Sequence, residues 1–267
     1  MRINFRKGAT VVVALVALGL SMNACTTTQS ARIKADSTIL RVGVSPTTPP
    51  MIYKQNDEII GVEADLAKAL ANDLQRKAIL VEIKWADQIP ALLENRIDII
   101  MSSMSVTPER QYDIAFSKPY FNSGLMMLTK NLQKFPFITN VEAALAQSIT
   151  WRIGVIKGTT GEAFVAQRNI GAKAIKSYKT QDDALKELIS DRIDVFVHDA
   201  PMILMMAAKH KSDGVKPLPF MLNEEYLAWG LRKSDADLIT KVNAFIDKSK
   251  ADGTLRETIE RWIPMAQ

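Results

Sequence analysis

The sequence predicts an α/β fold of two similar lobes joined by two crossover strands, with a ligand cleft between them. Three observations carry this. Short β-rich runs alternate with segments of helical periodicity, the grammar of the first half returns in the second, and two apolar strand-like runs connect the halves.

The N-terminus stands apart from the fold. Arg2, Arg6 and Lys7 precede a mostly apolar run, Ala9 to Leu20, whose twelve residues are too few to span a bilayer and suit the core of an export signal. Residues 1–24 therefore read as a signal peptide, and the protein as exported. Ser21-Met22-Asn23-Ala24-Cys25 places a small residue before the only cysteine, so Cys25 is the expected lipid-bearing residue, with simple cleavage near Ala24 as the alternative. Met22 and Asn23 depart from the usual lipoprotein pattern. A lone cysteine forms no internal disulfide. Loss of residues 1–24 removes three basic residues and no acidic one, lowering the formal charge from +5 to +2 and leaving 243 residues, so the basic pI is no sign of nucleic-acid binding. Residues 25–38 read as the lipidated cysteine and a flexible tether.

Ile39 to Val44 is a β-rich run that stops at Ser45-Pro46-Thr47-Thr48-Pro49-Pro50. Lys54 to Glu58 reads as a hairpin turn. Val62, Leu66, Ala69, Leu70 and Leu74 recur at helical spacing, predicting a helix over 61–77. Ile79 to Trp85 is the next strand, Ile89, Leu92 and Leu93 mark a short helix, and Ile97 to Met101 a buried strand. Trp151-Arg152-Ile153-Gly154-Val155 then repeats Leu40-Arg41-Val42-Gly43-Val44, and Glu187 to Val195 repeats Ala91 to Ile99. Ser123 to Lys130 and Glu225 to Leu231 are the expected crossovers, giving a first lobe of residues 39–127 plus 225–267 and a second of 128–224. Two helices, divided at Ala251-Asp252-Gly253-Thr254, are expected to pack on the first lobe. Met202 to Met206 reads as helix core rather than a metal-binding cluster.

The functional signal lies where the strand at Ile97 turns polar. Ser102, Ser103, Ser105 and Thr107 lead into Pro108, Glu109 and Arg110, with Thr107 a helix cap and Pro108 the first helical residue. Free backbone N–H groups and Arg110 there suit a carboxylate, the alternative being a capped helix with a surface arginine. Extending the repeat without a gap sets Ser102 opposite His198 and Ser103 opposite Asp199, both at strand carboxyl ends, where open α/β sheets bind ligands.

With Gly61 to Ala67, Arg96-Ile97-Asp98, Ser102 to Arg110, Phe116-Ser117-Lys118-Pro119-Tyr120, Gly158-Thr159-Thr160-Gly161-Glu162 and Ala251 to Thr254 in this order, the chain resembles the extracytoplasmic solute-binding proteins of polar amino-acid ABC importers. The resemblance implies a type II periplasmic-binding-protein fold, a small zwitterionic ligand, no cofactor or metal, a monomer, an ABC permease as partner, and a location in the periplasm or on the outer face of a membrane. It further implies that Arg110 clamps the ligand carboxylate with Ser105 and Thr160, that Asp199 and Ser103 take the ammonium, and that Trp85 and Tyr53 line the pocket. Members that bind cationic side chains carry an acid and an aromatic where this chain has Ser45 and Thr48. A neutral or polar amino acid is therefore expected, because an unpaired buried cation is costly. His198 either tunes the pocket or fills space.

Two other readings share the scaffold. Periplasmic cyclohexadienyl dehydratases resemble these proteins and use a glutamate near the position of Glu162, which also suits a first helical turn. The same module can also sense ligand for a separate receptor. The sequence lacks G-x-S-x-G, H-E-x-x-H, C-x-x-C and P-loop motifs, and its two histidines make a histidine metal site unexpected.

Overall fold

The structure is a computed structural model that describes residues 38–130, 138–168 and 174–263. The leader, Cys25 and the tether as far as residue 37 lie outside the described residues. The chain first lays down β1 (Ile39–Val44), a small antiparallel sheet of β2 (Thr47–Thr48), β3 (Ile52–Gln55) and β4 (Glu58–Ile60), then α1 (Val62–Asp73), β5 (Lys77–Glu82), α2 (Gln88–Leu93), β6 (Ile99–Ile100), α3 (Pro108–Asp113) and β7 (Ala115–Phe116). After β8 (Phe121–Ser123) it builds the second lobe: β9 (Leu125–Thr129), α4 (Val141–Gln147), β10 (Arg152–Ile156), α5 (Thr160–Gln167), β11 (Ala174–Tyr178), α6 (Gln181–Ile189), β12 (Val195–Asp199), α7 (Ala200–Lys209) and β13 (Lys216–Pro217). It returns through β14 (Glu225–Leu227) to β15 (Gly230–Leu231), α8 (Ala236–Ala251) and α9 (Thr254–Trp262).

Two five-stranded sheets result, ordered β5-β1-β6-β15-β7 and β11-β10-β12-β9-β13. In each, the first three strands are parallel and the other two antiparallel to their neighbours. The internal repeat is thus a repeat of topology, and it extends to single contacts. Arg41 donates from its backbone N–H and Nε to Asp98 Oδ2 at 2.9 and 3.1 Å, and Arg152 does the same to Asp194 at 2.8 and 3.0 Å. A Cβ on Gly43 would lie 2.3 Å from Ile97 Cδ1, and one on Gly154 would lie 2.4 Å from Ile193 Cδ1, so the paired glycines admit the paired isoleucines. Asn95 and Asp191, just past α2 and α6, both take left-handed φ values of 58° and 55°, a conformation that short polar side chains tolerate.

The lobes are joined by β8 and β14, which pair antiparallel. Leu125 to Thr129, which the sequence reading placed in a crossover, is instead a strand between β12 and β13, and every residue in it is buried. A division at 127/128 would cut that strand; pairing places the connection at β8 and β14. The two terminal helices cover α1: Val242, Phe245, Ile246, Leu255 and Ile259 share a core with Leu66, Leu70 and Trp229. Helix α1 stops short of the expected residue 77 because Gln75 turns left-handed at φ 55° and Lys77 already pairs with Ile39. Met202, Ile203 and Met206 of α7 are packed in the second lobe's core.

Candidate functional site

The polar segment after β6 is fixed from below by Glu63. Helical spacing sets this acid on the same stripe as Leu66 and Leu70, and it is fully buried. It accepts from the Ser103 N–H at 2.6 Å, the Tyr120 hydroxyl at 2.6 Å and Trp229 Nε1 at 2.9 Å. Burial pushes its carboxyl up while those donors pull it down. The bond to Ser103 anchors a left-handed residue, φ 56°, which sets where the next side chains emerge.

Two residues beyond Ser105, the Thr107 hydroxyl caps α3 by accepting from the Arg110 N–H at 3.2 Å. Arg110 Nη1 then donates to the Ser105 carbonyl at 2.7 Å, and its guanidinium lies 5.2 Å from the centroid of the Trp85 ring. Both side chains reach the second lobe. Trp85 Nε1 and Arg110 Nη2 donate to the Gly158 carbonyl at 3.0 and 3.3 Å. Gly158, at φ 76°, begins the turn into α5. Glu162 braces that turn, accepting from the Gly158 N–H at 2.7 Å and from the Ser177 hydroxyl. Burial lowers the Arg110 pKa, while Asp199, Glu225 and Glu109 oppose the shift.

Asp199 ends β12. Burial first, then the Glu225 charge, push its carboxyl up to about 7, against the pull of Arg110. His198 is buried, and its Nδ1 accepts from the Asp199 N–H at 2.7 Å, which leaves the ring proton on Nε2. Burial pushes it down to about 4, so it is neutral at pH 7, tilted against Phe196.

Glu225 is the residue the sequence reading missed. It sits on β14 between the lobes, 8% exposed, and one of its oxygens accepts from both the Ser105 hydroxyl and the Thr160 hydroxyl, the latter at 3.0 Å. Its other oxygen takes Asn223 Nδ2 at 2.9 Å. A hydroxyl has one proton to give. The two hydroxyls expected to face a ligand carboxylate are therefore committed to a carboxylate of the protein itself. A signal was present, since Glu225 is an acid opening a strand that is otherwise largely apolar.

The structure thus brings Arg110, Trp85, Ser105, Thr160 and Asp199 together, with Ser103 beside them. Ser45 joins through Ser102, whose Oγ accepts the Ser45 N–H at 2.8 Å. The Tyr53 ring meets Trp262 of α9 edge-on at 6.2 Å. Among the described residues no group of three or more His, Cys, Asp or Glu side chains is placed to hold a metal ion.

The chain as a whole is similar to known proteins. Residues 40–265 match the family described as bacterial extracellular solute-binding proteins, family 3. The chain belongs to that family. It is 29% identical over 231 residues to the ABC transporter arginine-binding protein 1 of Escherichia coli K12, covering 84% of this chain and 90% of that one. A solved ancestral arginine-binding protein bound to arginine superposes with a TM-score of 0.76 at 30% identity, over 84% of this chain and 98% of the other. An ancestral amino acid-binding protein described as a precursor of cyclohexadienyl dehydratase gives 0.74 at 31% identity, over 84% and 95%. These relatives are binding proteins rather than enzymes, and Glu162 has the turn-bracing contacts of a structural acid.

Proposed function

We propose that this family member captures a neutral or polar amino acid between its lobes and delivers it to an ABC permease on the outer face of the membrane, held there by lipid on Cys25. One observation carries the reading: a guanidinium from the first lobe and a carboxylate from the second, Arg110 and Asp199, sit in one desolvated group. A zwitterion complements that pair, and a ligand that touches both lobes favours their closed arrangement. The relatives named for arginine support an amino acid as ligand. Ser45 and Thr48 supply no acid for a cationic head group, which supports a neutral or polar side chain here.

The test is a thermal-shift panel of the twenty amino acids with prephenate alongside, on refolded protein. A ligand at about a hundred times its dissociation constant adds roughly 2.7 kcal/mol to the folded state. Arg110→Ala should cost roughly 2–5 kcal/mol of affinity for whichever amino acid binds, because it removes a desolvated charge partner. Undiminished binding in that variant removes Arg110 from the site.

A further inference from the structure

Gln88 opens α2 three residues after Trp85 and is fully buried. Its Nε2 donates to Ser102 Oγ at 2.8 Å, the same oxygen that accepts the Ser45 N–H. Its Oε1 is buried with no partner among the described residues. Turning the amide over exchanges its ends but still leaves one unmatched. Native proteins seldom bury such an atom without a reason.

The placement supplies a reason. Ser45, Gln88 and Ser102 lie past the carboxyl ends of β1, β5 and β6, which are adjacent in the sheet in the order β5-β1-β6. Both flanks of this edge face the second lobe: Trp85 Nε1 reaches the Gly158 carbonyl, and Thr47 Oγ1 lies 3.5 Å from Gln181 Nε2. Arg110 stands over Trp85, and the Gln88 amide, three residues further along the chain, is held at the same sheet edge by Ser102. Along it, Ser45, Gln88 and Ser102 contribute hydrogen-bonding groups and no charge.

We infer that Gln88 determines ligand specificity, its unmatched amide oxygen accepting a hydrogen bond from the side chain of the bound amino acid. The ligand class is then an amino acid whose uncharged side chain carries a donor, an amide or a hydroxyl. The inference rests on the amino-acid reading, and the experiment separates the two.

Dissociation constants are measured on the purified protein for four matched pairs: glutamine and methionine, asparagine and leucine, serine and alanine, threonine and valine. The polar member of at least one pair should bind tenfold or more tightly, because a site built to hydrogen-bond a ligand group rejects the analogue lacking it. Gln88→Leu and Gln88→Met, the second keeping the side chain's length, should abolish that ratio and spare the apolar member. Gln88→Glu should turn the preference towards lysine. A ratio absent in the parent protein, or surviving in both apolar variants, overturns the inference and assigns the amide to a water or to packing. If no amino acid binds, or Arg110→Ala weakens none, the amino-acid reading itself falls.

Discussion

On the proposed reading, Asp199 makes ligand capture a proton-linked event. Burial, with the Glu225 charge, pushes its carboxyl up to about 7, above the ordinary carboxylate range, and an ammonium placed against it demands the ionised form. Below that pH, binding must first expel a proton, so affinity should fall about tenfold per pH unit, reaching about a hundredfold or 2.7 kcal/mol near pH 5. Stability of the ligand-free protein runs the other way. A carboxyl with a raised pKa stabilises the fold while protonated, fully below its unfolded value, and that contribution is lost as pH rises through about 7. Acidification from about pH 8 to about pH 5 should therefore weaken binding while this group strengthens the empty fold. The groups around it are Arg110, Glu225, Tyr120 and His198. His198, pushed down to about 4, does not change charge in that window. Calorimetric titration of the bound amino acid across this range is the assay, with Asp199→Asn as control: weaker and flat. A flat profile in the parent protein, or a slope retained by Asp199→Asn, refutes the reasoning.

Two further variants test the supports of the site. Glu63→Gln puts an amide NH2 against at least one of three buried donors, so urea denaturation should show a loss of about 2 kcal/mol; unchanged stability would mean that these hydrogen bonds contribute nothing net. Glu225→Ala removes a charge that raises Asp199, so the midpoint of the binding profile should move to lower pH. An unmoved midpoint would show that Glu225 does not reach Asp199 electrostatically.

The repeat made most of the architecture legible. Arg41-Val42-Gly43 and Arg152-Ile153-Gly154 occupy equivalent strands, and the ungapped alignment makes Ile99-Ile100 of β6 equivalent to Val195-Phe196 of β12, although Asp199 ends β12 while Ser103 lies beyond the end of β6. The crossover was misplaced because Leu125 to Leu128 is apolar on both faces, a pattern shared by a buried linker and an interior strand. Tyr53 gave no sign of its partner, since Trp262 lies on a helix far along the chain. Ser105 and Thr160 were legible as hydroxyls near a strand end and a helix start, but the destination of a hydroxyl proton depends on a third segment, here Glu225 on β14. Gln88 was obscured in another way. A polar residue at the start of a short helix reads as solvent-facing, and only the neighbouring strands bury it.

Commitment of the two hydroxyls to Glu225 does not disable the proposed carboxylate clamp. Arg110 carries five N–H donors, and the Ser105 and Gly158 carbonyls engage one on each terminal nitrogen. Three remain, and a carboxylate taken side-on needs two. Glu225 meanwhile adds a second negative charge facing a single guanidinium, and it is one reason the Asp199 proton is held so tightly. A ligand ammonium offsets that excess, whereas a ligand bringing only a carboxylate leaves Asp199 protonated. On the proposed reading, Glu225 therefore selects for zwitterions over simple carboxylic acids without touching the ligand, and it does so from one of the two strands that join the lobes.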